Sequence, residues 1–140
     1  KGNRGVGAAL ARSSRWLAVE NYGADIEENI CLILQIESQK GIDNLDEILE
    51  VSGYDAIFIG PSDLAASMGY PGQTDHKKVQ QAISIASDKI KAAGKAIGTL
   101  STEPSMIKTY ANLGATFIAI GVDTLSYAES ARDLAKQYIK

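Results

Sequence analysis

In Asp55-Ala56-Ile57-Phe58-Ile59-Gly60-Pro61, the chain runs apolar after Asp55, residue after residue, until a glycine-proline pair stops it. A strand that is apolar along its whole length is buried on both faces, as in a parallel sheet. Three further segments read the same way: residues 31–37 (CLILQIE), 96–100 (AIGTL) and 116–122 (TFIAIGV). Amphipathic segments lie between and after them. Ile42, Leu45, Ile48 and Leu49 mark a short helix, and Val79, Ile83, Ala86 and Ile90 recur at spacings of three and four in a longer one. Met106, Ile107, Tyr110, Ala111 and Leu113 mark a third, and Leu125, Ala128, Ala131, Leu134, Ala135 and Tyr138 a terminal one. Gly53, Gly94 and Gly114 follow the first three, where glycine supplies the left-handed cap. The order is βα repeated, which defines an α/β class with parallel strands. The leading 30 or so residues differ: a Gly-rich opening, a segment from Ala8 to Trp16, and a predicted polar helix near 25–29.

Composition bounds the rest. With 140 residues, 45% of them hydrophobic and 22% charged, the chain can bury one core and is no disordered tail. A net charge of −3 argues against nucleic acid or anionic membrane as partners. No apolar run approaches the ~20 residues that span a bilayer. A lone cysteine, Cys31, excludes an internal disulfide and fits a reducing compartment, so a cytoplasmic protein is expected. Cys31 itself is expected in the core at the start of a buried strand. The chain opens on Lys1 without an initiator Met or a signal-peptide core and is expected to be part of something longer.

Four βα units suit two architectures: an open doubly wound sheet, or about half of a (β/α)₈ barrel. In both, functional residues gather at the C-terminal ends of the strands. Those ends read Gln35-Ile36-Glu37, Gly60-Pro61-Ser62-Asp63, Gly98-Thr99-Leu100-Ser101 and Gly121-Val122-Asp123. Glu37 and Asp63 thus end consecutive strands, whose backbones lie ~4.8 Å apart if the strands are neighbours. Carboxylates that close must share a proton, pair with a cation or bind a metal. Oxygen ligands with no Cys or His nearby favour Mg²⁺ or Mn²⁺. The competing reading makes Glu37 a cap for the next helix and Asp63 an ordinary first-turn acid. Gln35 shares a face with Glu37, and the free amides of Ser62 and Asp63 at a helix start suit an anion. His76 reads as a surface residue at a helix start, and Asp123-Thr124 as the cap of the terminal helix. Trp16, flanked by Arg12 and Arg15, reads as an interface anchor or a lid contact.

Taken together, Leu34-Gln35-Ile36-Glu37, Asn44-Leu45-Asp46-Glu47-Ile48-Leu49 and Phe58-Ile59-Gly60-Pro61-Ser62-Asp63-Leu64 closely resemble the HpcH/HpaI aldolase family of metal-dependent, class II 2-keto-acid aldolases. The resemblance continues through Ser67-Met68-Gly69-Tyr70-Pro71-Gly72, Ala93-Gly94-Lys95 and Ala119-Ile120-Gly121-Val122-Asp123-Thr124. It also takes in Arg4-Gly5-Val6-Gly7 and residues 11–16, and so covers essentially the whole chain. It implies a (β/α)₈ barrel of which this chain supplies the C-terminal half, strands five to eight, with residues 1–140 as the C-terminal portion of one barrel domain. It implies that Glu37 and Asp63 ligate a divalent metal, Mg²⁺ or Mn²⁺. Gln35 would lie beside a bound pyruvate or hydroxy-keto-acid, the amides of Ser62 and Asp63 would hold its carboxylate, and Leu100 would form the pocket wall.

The resemblance also implies what is missing. The family's histidine-carboxylate base pair and its keto-oxygen arginine come from the first half of the barrel, and no residue here matches them. No catalytic base is therefore assigned in this chain, and His76 does not match by position. Lys95 precedes a strand and so lies at the opposite end from the strand C-termini, which excludes it as a Schiff-base lysine at that site. The expected partners are a keto-acid substrate, the N-terminal half of the barrel, and further copies, since the family forms hexamers with exchanged terminal helices. The alternatives are a non-catalytic half barrel that needs a complementary chain or only binds keto-acids, and a related enolate lyase acting on a thioester.

Overall fold

The computed structural model describes Asn3 and residues 5–139. The chain divides into two compact units, Lys1–Cys31 and Leu32–Lys140.

The first unit is built of tight turns. Two single 3₁₀ turns, Ala8–Leu10 and Arg12–Ser14, are tied by the buried Ser14. Its hydroxyl reaches the Ala8 and Ala11 carbonyls and accepts from the Leu17 amide. The backbone then turns through left-handed φ values of 49°, 54° and 68° at Arg15, Trp16 and Leu17. Trp16 stays 67% exposed. The polar helix predicted near residues 25–29 is absent: Glu28 and Asn29 both bond back to the Asp25 carbonyl in turns. Asp, Asn and β-branched Ile26 are poor helix formers, and so short a segment does not offset the cost of helix nucleation.

The second unit contains β1 (Ile33–Ile36), α1 (Gln39–Asp43), α2 (Leu45–Glu50), β2 (Ala56–Ile59), α3 (Pro61–Ser67), α4 (Lys77–Ala92), β3 (Ala96–Leu100), α5 (Pro104–Asn112), β4 (Phe117–Ala119) and α6 (Asp123–Tyr138). The four strands form one parallel sheet in the order β1-β2-β3-β4. An open doubly wound sheet reverses its strand order at a switch point where the ligand sits. No such reversal occurs among these four strands.

Register sorts the strand residues onto two faces. Ile36, Ile57, Ile59, Ile97 and Thr99 point to one face and are each at most 5% exposed. The four isoleucines join Leu45, Leu64, Ala65, Val79, Ile83, Ala86, Ile90 and Tyr110 from the helices in one core. Thr99 satisfies its buried hydroxyl by donating to the Ile59 carbonyl at 3.0 Å. The other face carries Ile33, Gln35, Phe58, Gly98 and Phe117. Here Ile33 is 39% and Phe117 54% exposed. The sequence predicts strands buried on both faces, but in β1 and β2 full burial is confined to the face under the helices, and only β3 has a continuous buried run, Ile97 to Thr99. The continuous apolar pattern belongs to a sheet with two covered faces, and one of them is open here.

Two of the three predicted glycine caps are present; α2 instead ends at Val51 in extended conformation, and Gly53, at φ 92°, lies two residues beyond that end. After α4, Gly94 at φ 70° lets its amide reach Lys91 O and the Lys95 amide reach Ile90 O, the paired bonds of a Schellman cap. Gly114 at φ 97° does the same after α5. Cys31, predicted in the core, is exposed. The ladder begins only at Ile33, so Cys31 lies ahead of the sheet.

Candidate functional site

At the C-terminal end of β1, Gln35 and Glu37 project onto the open face, two residues apart on an alternating strand. The Gln35 amide donates to Glu37 Oε2. Glu37 does not cap the next helix: Ser38 does that, its hydroxyl accepting from the Gly41 amide at 3.1 Å. This removes the capping role from Glu37 and leaves it beside β2.

β1 and β2 are direct neighbours, with Gln35 opposite Phe58 and Ile36 opposite Ile59. One residue further, Glu37 falls level with Gly60, and the Gly60 amide closes the ladder onto Ile36 O at 3.0 Å. Pro61 then opens α3, with Gly60 at its N-cap and Asp63 in its first turn. Gly60 brings no side-chain cap, so the first-turn amides of Ser62 and Asp63 keep the donor character of a helix start. Ser62, Asp63, Gln35 and Glu37 are all exposed. The first-turn position of Asp63 is as the ordinary reading had it. No ion pair engages Glu37 or Asp63 among the described residues.

Leu100 ends β3, half-buried, level with Ala119 of β4. Gln35, Phe58, Gly98 and Phe117 form one row across the open face, and Glu37, Gly60, Leu100 and Ala119 form the next. Phe58 and Phe117 meet edge to face at 6.1 Å over Gly98. A Cβ on Gly98 would stand 2.8 Å from Phe58, so glycine makes room for this pair. The aromatic row beneath the polar one was missed in the sequence. Counting back by twos from Glu37 and across by register is the signal that finds it.

Other singled-out residues have structural roles. His76 caps α4, its Nδ1 accepting from Lys78 N at 3.3 Å, and stacks on Tyr70 at 3.7 Å. Asp123-Thr124 does not cap α6: Val122 holds the N-cap position without a side-chain bond, and Asp123, the first helical residue, accepts from the adjacent Thr124 N. Lys95 lies at the far end of β3 from Leu100, donating to Tyr54 O at 2.7 Å and sitting over the Tyr54 ring.

No group of three or more His, Cys, Asp or Glu that could hold a metal occurs among the described residues. What the strand ends offer is two acidic oxygen donors, an amide and a run of helix-start N–H groups. This set suits a hard divalent cation whose remaining positions are filled by water and an oxygen-rich ligand.

Comparison with known proteins agrees with a parallel-sheet α/β domain. The model of the family described as HpcH/HpaI aldolase/citrate lyase matches residues 3–130. The chain belongs to that family. It is 49% identical over 129 residues to a 2-keto-3-deoxy-L-rhamnonate aldolase of Escherichia coli K12, an alignment covering 92% of this chain and 48% of that protein. Among solved structures, it is similar to an HpcH/HpaI aldolase/citrate lyase family protein from Burkholderia cenocepacia J2315. The TM-score is 0.87 at 27% identity, over 99% of this chain and 54% of that one. An HpcH/HpaI aldolase from Desulfitobacterium hafniense DCB-2 gives a TM-score of 0.80 at 25% identity, over 97% and 53%. The chain spans about half the length of the curated relatives it matches. No helix among the described residues is long and apolar enough to cross a membrane.

Proposed function

We propose that this chain carries the metal- and carboxylate-binding part of a 2-keto-acid aldolase active site. The whole protein would reversibly cleave a hydroxy-2-keto-acid to pyruvate and an aldehyde. The observation that carries this is the pairing of β1 with β2. It sets Glu37 beside the Gly60-Pro61-Ser62-Asp63 turn, with no cation partner for either carboxylate among the described residues. The 2-keto-3-deoxy acid in the name of the 49% identical relative supplies the substrate class.

In this reading Glu37 and Asp63 hold Mg²⁺ or Mn²⁺. When bound, the cation acts as a Lewis acid toward a keto oxygen on which negative charge develops as the C–C bond breaks. Gln35 orients Glu37 through its amide and borders the keto-acid. The Ser62 and Asp63 amides donate to the substrate carboxylate at the start of α3. Leu100 walls the pocket and, with the Phe58–Phe117 pair beneath, limits water access to the reacting carbons. The base that removes the hydroxyl proton before cleavage is supplied from outside these residues.

The same reading makes residues 1–140 the C-terminal portion of one (β/α)₈ barrel, with β1 to β4 as its fifth to eighth strands. The unreversed strand order and the open, aromatic-lined face support it. The N-terminal half of the barrel would cover that face. An oligomer, hexameric as in the family, would cover α6, which has no buried residue and leaves Tyr127 and Tyr138 each 79% exposed. The test is turnover of a hydroxy-2-keto-acid by the intact protein, followed as pyruvate released, before and after chelation of divalent metal. Loss on chelation and recovery on adding Mn²⁺ are expected. Turnover that survives chelation contradicts the metal assignment.

A further inference from the structure

The backbone conformation at Gly60 does not call for glycine. Its φ of −93° and ψ of 96° are extended values that any residue adopts. Its place at the N-cap of α3 accepts glycine but favours Ser, Asp or Asn more, whose side chains would bond a first-turn amide that Gly60 leaves uncapped. What distinguishes the position is the space its missing side chain leaves. A Cβ there would stand 3.1 Å from Glu37 Cβ, 3.2 Å from Gln35 Nε2 and 3.4 Å from Glu37 Oε2. The Glu37 Cβ is tied to the end of β1 and cannot swing aside as a side-chain tip can. All three nearest atoms belong to the Gln35–Glu37 pair.

We infer that Gly60 is a positioning residue, whose missing side chain is the space into which the hydrogen-bonded Gln35–Glu37 pair leans. This deepens the metal-site reading and rests on it for its functional consequence. Glycine here trades a helix cap for the placement of a carboxylate beside Asp63. Any β-carbon pushes Glu37 off that placement while leaving both carboxylates in the protein.

Two measurements on the intact protein test this together. The first is a stability cycle in urea. Gly60→Ala should lower the unfolding midpoint clearly more in the parent than in a Gln35→Ala/Glu37→Gly background, where the opposing atoms are gone and only the ordinary cost of alanine at a helix N-cap remains. An equal drop in both backgrounds overturns the inference, because the cost would then lie in the backbone or elsewhere. The second is Mn²⁺ binding followed by electron paramagnetic resonance. Gly60→Ala should weaken it at least tenfold, and Glu37→Ala should abolish it. If Glu37→Ala abolishes binding while Gly60→Ala keeps the parental affinity, the positioning role is overturned although the metal site stands. If the parent binds no Mn²⁺, the metal-site reading fails, and the urea cycle still decides whether Gly60 is kept clear for the Gln35–Glu37 pair.

Discussion

Glu37 has one carboxylate oxygen engaged by Gln35, with no ion pair and no capping duty among the described residues. Removing it should therefore cost the fold little and the chemistry much. Glu37→Ala should leave the thermal midpoint within a few degrees of the parent and reduce metal-dependent turnover at least ~100-fold, on the order of 3 kcal/mol of lost charge stabilisation. Unchanged turnover at low added Mn²⁺ would remove Glu37 from the site. At this scale the sequence was legible where alternation and strand ends sufficed: Gln35 and Glu37 on one face, Asp63 in a first turn, Leu100 at a strand end. It was not legible where a choice depended on which neighbour took the job. Ser38, one residue along, caps α1, and nothing in the spacing of Glu37 could show that. Cys31 was misplaced for a related reason, since an apolar run does not mark where ladder pairing begins.

Elements are held by caps and one core, and their costs can be separated. A Cβ on Gly94 would meet nothing within 4 Å, so Gly94→Ala tests only its left-handed φ of 70°. It should destabilise by about 1 kcal/mol in urea melts, whereas Ser38→Ala should cost a similar ~1 kcal/mol through the lost cap of α1. Tyr110 links α5 to α4, its hydroxyl accepting from Gln80 Nε2 at 3.1 Å. Burial raises its pKa above 10.0, with the Gln80 hydrogen bond opposing. The folded chain thus holds the phenol proton more tightly than the unfolded chain does. That stability is fully present below pH 10.0 and falls as pH rises through the higher folded value. Melting midpoints should drop more steeply above pH 10 for the parent than for Tyr110→Phe. Parallel slopes would show that the phenol does not carry the effect. The long helices were readable because their apolar spacing is strict. Residues 25–29 were over-read as helix because a polar run with no packed face has nothing to repay nucleation.

The sheet of the second unit has a covered face and an open one. Ile57, Ile59 and Ile97 lie at most 2% exposed under the helices, while Phe117, in the same sheet, is 54% exposed. The α/β class and the parallel order were legible from the βα repetition. The difference between the two faces was not, because a strand built for two covers reads the same whether or not the second is present. This makes a prediction about activity. If the chain is half of a barrel, as proposed, the 140-residue chain alone should show little or no aldolase turnover, because the base would come from the complementary half. Mixing or joining it with that half should restore turnover, and full activity of the chain alone would refute the half-barrel reading. The central claim is that Glu37 and Asp63 form a cation site that holds a keto-acid. Calorimetric titration of pyruvate into the intact protein, with and without Mn²⁺, tests it most directly. Pyruvate binding should strengthen at least tenfold with Mn²⁺ and lose that gain in Glu37→Ala. Pyruvate affinity indifferent to both the metal and Glu37 would contradict that claim.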